Sequence, residues 1–219
     1  TGAGEFYMLE MNTRLQVEHP VTEFVTGVDI AKWQIRIAAG ERLTLAQSAI
    51  AQRGHAIECR IYAEDPANHF LPSIGTITYC HFPTLPNVRI DSGIASGSVV
   101  TTFYDPMLAK VIVYGQDRAE AIARMVAALE QTVIIGVTTN IAYLLAILQE
   151  AHFVAGETST DYLAHYFAGW LDSAEPDTET LLAIAAFELF NATQSVMDYT
   201  ETKTMPDIWH NDLRWRNVA

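Results

Sequence analysis

The chain has 219 residues, is 50% hydrophobic and 18% charged, and carries a formal net charge of -13; that balance fits a folded protein with one large core or two small ones. So acidic a chain excludes nucleic acid and anionic membrane as natural partners, because both call for clustered Lys and Arg. Cys59 and Cys80 make no disulfide framework and lie at no metal-ligand spacing, and the longest apolar stretch, Ile141 to Ile147, is far short of the ~20 residues of a membrane span, so a soluble protein in a reducing compartment is expected.

No initiating Met and no signal peptide open the chain. The glycines of Thr1-Gly2-Ala3-Gly4 lead straight into the apolar Phe6-Tyr7-Met8-Leu9, which reads as a fragment entered through a hairpin. Glu5 to about Glu18 is expected to be extended, and Asp29 to cap a helix through Ile30, Trp33 and Ile37 that stops at Gly40. From His55 to Tyr114, short β-rich runs are broken by Pro66, Pro72, Gly75, Pro83, Pro86, Gly93 and Gly97, which predicts a compact antiparallel sheet or small barrel. Met107 to Tyr114 is its most apolar strand.

Helical periodicity returns at Asp117-Arg118-Ala119-Glu120, a capping-box-like start, with Ile122, Met125, Val126 and Leu129 on one face. Thr139 or Asn140 starts a second helix through Ile141, Leu144, Leu145 and Leu148, and Ser159 or Thr160 a third with Leu163, Tyr166 and Phe167 inward. Asp172, Glu175, Asp177 and Glu179 form an acidic linker into a helix from Glu179 to Phe190. Trp209 and Trp215 read as the beginning of a further element, and no internal repeat is present. The fold class expected is α+β.

Chemistry concentrates between Glu10 and Glu18. Glu10, Asn12, Arg14, Gln16 and Glu18 alternate with Met11, Leu15 and Val17, and in an extended chain residues two apart share a face. An amphipathic strand with a solvated polar face is the plain alternative. Two carboxylates, two amides and a guanidinium are nevertheless an unusual filler. Carboxylate and amide oxygens suit Mg²⁺, a guanidinium forks onto a planar oxyanion, and a second carboxylate is free to take a proton.

The run Glu10-Met11-Asn12-Thr13-Arg14-Leu15-Gln16-Val17-Glu18-His19-Pro20-Val21-Thr22-Glu23 resembles the signature of the biotin carboxylases, within the ATP-grasp superfamily. The resemblance continues through Gly54-His55-Ala56-Ile57-Glu58-Cys59-Arg60-Ile61-Tyr62-Ala63-Glu64-Asp65-Pro66, Tyr104-Asp105-Pro106-Met107 and Gly136-Val137-Thr138-Thr139-Asn140-Ile141, so it covers Glu5 to about Phe167. It implies the C-terminal end of an ATP-grasp domain at residues 1–52, a biotin carboxylase C-terminal domain at 53–168, and an acidic linker with the start of an interdomain region at 169–219. The last part resembles, only loosely, the region after the carboxylase domain in methylcrotonyl-CoA-type subunits.

On this resemblance, Glu10 and Asn12 hold Mg²⁺ (or Mn²⁺) with the phosphates of ATP. Arg14, Gln16 and the Val17 amide hold bicarbonate, and Glu18 is its base. Arg60 is the catalytic arginine that stabilises the biotin enolate. The residues alone leave Arg60 open to a surface pairing with Glu58. Biotin is expected covalently on a separate carrier domain, since Thr202-Lys203-Thr204-Met205 is no attachment motif. Further partners implied are a carboxyltransferase (beta) subunit and the N-terminal ATP-grasp portion of the same subunit, which carries the glycine-rich loop, the ATP lysines and a second metal-binding glutamate. The chain alone is therefore expected to be inactive, and its home to be the bacterial cytoplasm or the mitochondrial matrix. His19 and His55 read as structural, and Asp105 as a turn former. Another ATP-grasp ligase, or a non-catalytic assembly module, is the competing reading. The acyl-CoA, propionyl or methylcrotonyl among others, is not legible.

Overall fold

Runs of alternating apolar and polar residues between prolines and glycines fold as short antiparallel strands, and one long apolar run becomes the strand that they pack around. The computed structural model describes residues 7–171, 178–187 and 189. The chain divides into two units, Thr1–Asp172 and Ser173–Ala219; in the second, 178–187 and 189 are helical. The Asp172, Glu175 and Asp177 positions of the expected linker, Phe190, Lys203, Trp209 and Trp215 lie outside the described residues.

The first unit opens with α1 (His19–Thr26) and α2 (Ile30–Ala38). Pro20 sits in the first turn of α1, where a missing N–H costs nothing, and left-handed Gly27 ends the helix by donating to the Glu23 carbonyl at 2.8 Å. The Asp29 carboxylate caps α2, accepting from the Lys32 amide at 2.8 Å. Then come β1 (His55–Tyr62), β2 (Glu64–Asp65), β3 (Leu71–Pro72), β4 (Gly75–Thr76), β5 (Tyr79–His81), β6 (Val88–Ser92), β7 (Val99–Val100) and β8 (Met107–Gly115). They are followed by α3 (Arg118–Glu130), β9 (Val133–Ile135), α4 (Ile141–Gln149), α5 (Ala151–Ala155) and α6 (Tyr162–Tyr166).

The main sheet is antiparallel in the order β1-β8-β6, with β2-β3, β4-β7 and β5-β9 as separate two-stranded ladders. Among the described residues no barrel closes. Most of the proline-broken strands are only two or three residues long, too short to carry a ladder around a circle. Register pairs Cys59 with Val111 and Arg60 with Lys110. One face of the sheet therefore carries Ile57, Cys59, Ile61, Val111 and Val113, and it packs on Ala121, Ile122, Met125, Ala128 and Leu129 of α3 and on Leu148 of α4. A small second cluster joins Ala63, Ile77 and Leu108. Gly136 (φ 112°) lets β9 approach β4, since a Cβ there would lie 2.1 Å from the Thr76 carbonyl oxygen.

Period-three-to-four spacing locates the helices well. The Asp117 carboxylate accepts from the Glu120 amide at 2.9 Å while the Glu120 side chain accepts from the Gln116 amide at 2.6 Å, a reciprocal capping pair. Three expectations need correcting. Residues 7–18 form no strand, and Met11 is 72% exposed: a strand needs a neighbour for its amides, and among the described residues none runs beside this segment. In α6, Tyr162 is the buried residue while Leu163 and Tyr166 are exposed, because the Tyr162 hydroxyl donates to the Glu150 carboxylate at 2.6 Å and fixes the helix face. Finally, α1 and α5 are helices that the alternation and apolar spacing did not predict.

Candidate active site

The face of the main sheet opposite its core is polar. Glu58 and Arg60 lie on it from β1, Lys110 from β8, and Arg89 and Asp91 from β6, as the period-two register requires. α1 packs over β1 and β8 on this side, bringing the end of the Glu10–Glu18 segment onto the sheet. Two polar ties hold it there. Lys110 Nζ, on a side chain only 12% exposed, donates to the Val17 carbonyl at 2.7 Å and pairs with Asp91 at 3.4 Å. Arg89 donates to both Asp91 oxygens, at 2.8 and 2.9 Å, and to Glu23 of α1 at 3.0 Å.

Where the segment meets the sheet, a cavity of about 480 Å³ is lined by Glu18, Glu58, Arg60, Tyr62, Asn140 and Tyr143, among others. Glu18 immediately precedes α1, at its N-cap position, and Arg60 leaves β1 as its exposed residue. Asn140, buried at the start of α4, accepts from the Tyr62 amide at 2.9 Å and donates to the Arg60 carbonyl at 3.1 Å. It thereby fixes the backbone on which Arg60 is mounted. Asn140 was expected to do no more than start a helix; its side chain makes no cap there.

Of the residues singled out from sequence, Glu18 and Arg60 therefore share one cavity. The others form neighbouring pairs along the exposed segment: Asn12 donates to Glu10 at 3.3 Å, and Arg14 Nη1 donates to Gln16 Oε1 at 2.9 Å. Val17 is engaged through its carbonyl. Glu10, Asn12, Arg14 and Gln16 do not line the cavity of Glu18 and Arg60. Arg60 makes no ion pair with Glu58. Burial lifts the Glu58 carboxyl above the usual range, opposed by Lys110 and reinforced by Glu18, with Arg60 and His19 opposing more weakly. Burial likewise pushes the Cys59 thiol, on the core side of the strand, up to about 12, which leaves it an inert core residue.

His19 Nδ1 donates to the Gln16 carbonyl at 2.8 Å and helps close the turn into α1. Asp105 accepts from the Met107 amide at 2.8 Å, an Asx turn. Among the described residues no group of three or more His, Cys, Asp or Glu could hold a metal ion. No described helix is long and apolar enough to cross a membrane. Sequence reasoning missed Lys110 and Asn140 as parts of this site. The only available signals were their types, a lysine inside the most apolar strand and an asparagine before an apolar helix.

Residues 58–165 match the family described as biotin carboxylase C-terminal domain, and residues 1–46 match carbamoyl-phosphate synthase L chain, ATP binding domain. The chain is 46% identical over 216 residues to the human mitochondrial propionyl-CoA carboxylase alpha chain, covering 96% of this chain and 30% of that one. It is 55% identical over 160 residues to the biotin carboxylase of Allochromatium vinosum, covering 73% and 35%. Among solved structures, the biotin carboxylase domain of Hydrogenobacter thermophilus 2-oxoglutarate carboxylase, in complex with MgADP, ADP and bicarbonate, aligns with a TM-score of 0.76 at 47% identity, covering 79% of this chain and 38% of that one. The chain thus spans about a third of the length of these curated relatives.

Proposed function

We propose, from the match of residues 58–165 to the biotin carboxylase C-terminal domain family, that this chain is the C-terminal portion of a ligase that carboxylates biotin with ATP and bicarbonate. The observation that carries the reading is the shared cavity. A carboxylate from the signature segment, Glu18, and a guanidinium from β1, Arg60, line one space of about 480 Å³ although they come from separate elements.

In this reading Glu18 takes the proton of bicarbonate, and the carbonate oxygen so freed attacks the terminal phosphorus of ATP as the bond to ADP breaks. Arg14, Gln16 and the Val17 amide hold the bicarbonate. The carboxyphosphate splits into CO₂ and phosphate, the phosphate takes the ureido proton of biotin, and the ureido nitrogen captures the CO₂. Arg60 faces the negative charge that the biotin substrate carries between those two events, and as a cation in a partly enclosed site it stabilises that charge without reorganising. Magnesium would neutralise phosphate charge, and Glu10 and Asn12, whose side chains meet at 3.3 Å, would hold it through their oxygens.

Biotin on a separate carrier domain, a carboxyltransferase partner and an acyl-CoA substrate complete the proposal. Propionyl-CoA and methylcrotonyl-CoA carboxylases are both among the similar proteins, and the acyl group is recognised outside this half-reaction. A domain boundary near residue 52 is part of the same reading, as is the absence of turnover by this chain alone. The test is a pair of substitutions in the complete subunit, scored for phosphate release and carboxybiotin in one reaction. Glu18→Gln keeps shape and removes the base, so bicarbonate-dependent ATP cleavage should fall by ~10²–10⁴-fold. Arg60→Gln should lose carboxybiotin far more than phosphate release. Proportional loss of both products in a folded Arg60→Gln enzyme would refute the assignment.

A further inference from the structure

Glu58 is a cavity-lining carboxylate of this face that the reaction above leaves unused. It lies on β1 between the buried Ile57 and Cys59, projects to the side of Arg60 and Lys110, and lines the cavity with Glu18 and Arg60. Both of its carboxyl oxygens are sealed from solvent and have no hydrogen-bond partner. The cations around it are committed or turned away. Lys110 is spent on the Val17 carbonyl and Asp91, and Arg60 is exposed and makes no ion pair with it. His19 of α1 is bonded to the Gln16 carbonyl, and the remaining charged neighbour, Glu18, is of like sign. A sealed carboxylate without a donor is costly, and a proton is the least expensive way to relieve it.

We propose that Glu58 is a positioning residue of the biotin carboxylase site, whose proton occupancy sets how much of the Arg60 charge is left to face an anion in the cavity. An ionised Glu58, two residues away on the same face, offsets part of that cation; a protonated Glu58 leaves it whole. Burial makes Glu58 keep its proton to higher pH than an exposed glutamate. Anion stabilisation by Arg60 is therefore strongest while Glu58 holds its proton and declines as pH rises through its raised midpoint.

The activity readout rests on the proposed function, whereas a direct titration does not. In the complete subunit, carboxybiotin formed per phosphate released should fall by a few-fold, at most about tenfold, as pH rises through the Glu58 midpoint, which lies above that of exposed glutamates, the size of about one pKa unit of coupling. Glu58→Gln is permanently neutral and should hold the low-pH ratio throughout. Because Glu18 is a like-charged neighbour of Glu58, phosphate release is followed at each pH as well, and the ratio of the two products is the deciding quantity. An unchanged pH decline in folded Glu58→Gln overturns the proposal, as does a collapse of both products at every pH. Should that variant fail to fold, carbon NMR titration of the Glu58 carboxyl in the wild-type subunit decides: a midpoint above that of exposed glutamates is expected, and an ordinary one overturns it. A wild type without bicarbonate-dependent ATP cleavage would sink the functional reading while the titration still judged Glu58.

Discussion

Replacing Lys110 by Met tests whether the C-terminal domain holds the signature segment in place. The substitution keeps most of the side-chain length and removes one charged donor, which is 12% exposed and donates to the Val17 carbonyl at 2.7 Å. A hydrogen bond to a charged group contributes about 1.5–3 kcal/mol. Loss of the Asp91 pairing at 3.4 Å adds little, because Asp91 keeps both bonds from Arg89. If the whole of that energy holds residues 14–18 in their bound geometry, bicarbonate affinity in the complete subunit should weaken by roughly tenfold to a hundredfold, at about 1.4 kcal/mol per factor of ten. The assay is the KM for bicarbonate in ATP cleavage, with limited proteolysis of the 7–18 segment alongside. Cleavage should become faster while the melting of α3 and the main sheet changes little. Unchanged bicarbonate KM and unchanged proteolysis would refute the claim that this bond seats the segment.

Asn140→Ala leaves the Tyr62 amide and the Arg60 carbonyl without their side-chain partners; a loss of about 1–3 kcal/mol is expected in urea unfolding, together with reduced carboxybiotin formation. Met125 is fully buried beneath the main sheet, so Met125→Ala should destabilise by about 2–5 kcal/mol, read from the same denaturant curves without change in the ratio of the two products. At Glu150, burial pushes the carboxyl up, but hydrogen bonds from Tyr162 and His152 outweigh it and hold the group at about 2. Its stabilising effect is thus complete above the ordinary glutamate range and is lost as pH falls toward 2. Glu150→Gln should flatten that acid limb of the melting curve, and an unaltered limb would show that other carboxylates set it.

Helices α2, α3 and α4 and the central strand were legible because their signals are local. The Asp117–Glu120 capping pair, the apolar stripe of α3 and the apolar run Met107–Tyr114 each fall within one stretch of chain. The polar alternation from Glu10 to Glu18 was legible as chemistry but not as structure. Side chains two apart do meet, as the Glu10–Asn12 and Arg14–Gln16 bonds show, yet among the described residues no partner strand accompanies them. α1 was hidden because a Pro at its start and a Gly at its end frame only eight residues. Asn140 and Lys110 were hidden for a different reason. Their partners lie far along the chain at Arg60, Tyr62 and Val17, and no spacing rule reaches across such distances.

The Arg89 guanidinium, divided between Glu23 and Asp91 while Lys110 shares Asp91, makes four positions on three elements a single unit of inheritance. Two cations and two anions balance there in a half-buried setting. Neutralising Arg89 leaves Glu23 and Asp91 without their shared donor, so a lone change there should cost more than one at Lys110, whose loss leaves Asp91 both bonds from Arg89. Paired changes that restore the balance would be tolerated. Divergence among descendants of this chain should then show Glu23, Arg89, Asp91 and Lys110 drifting together or not at all.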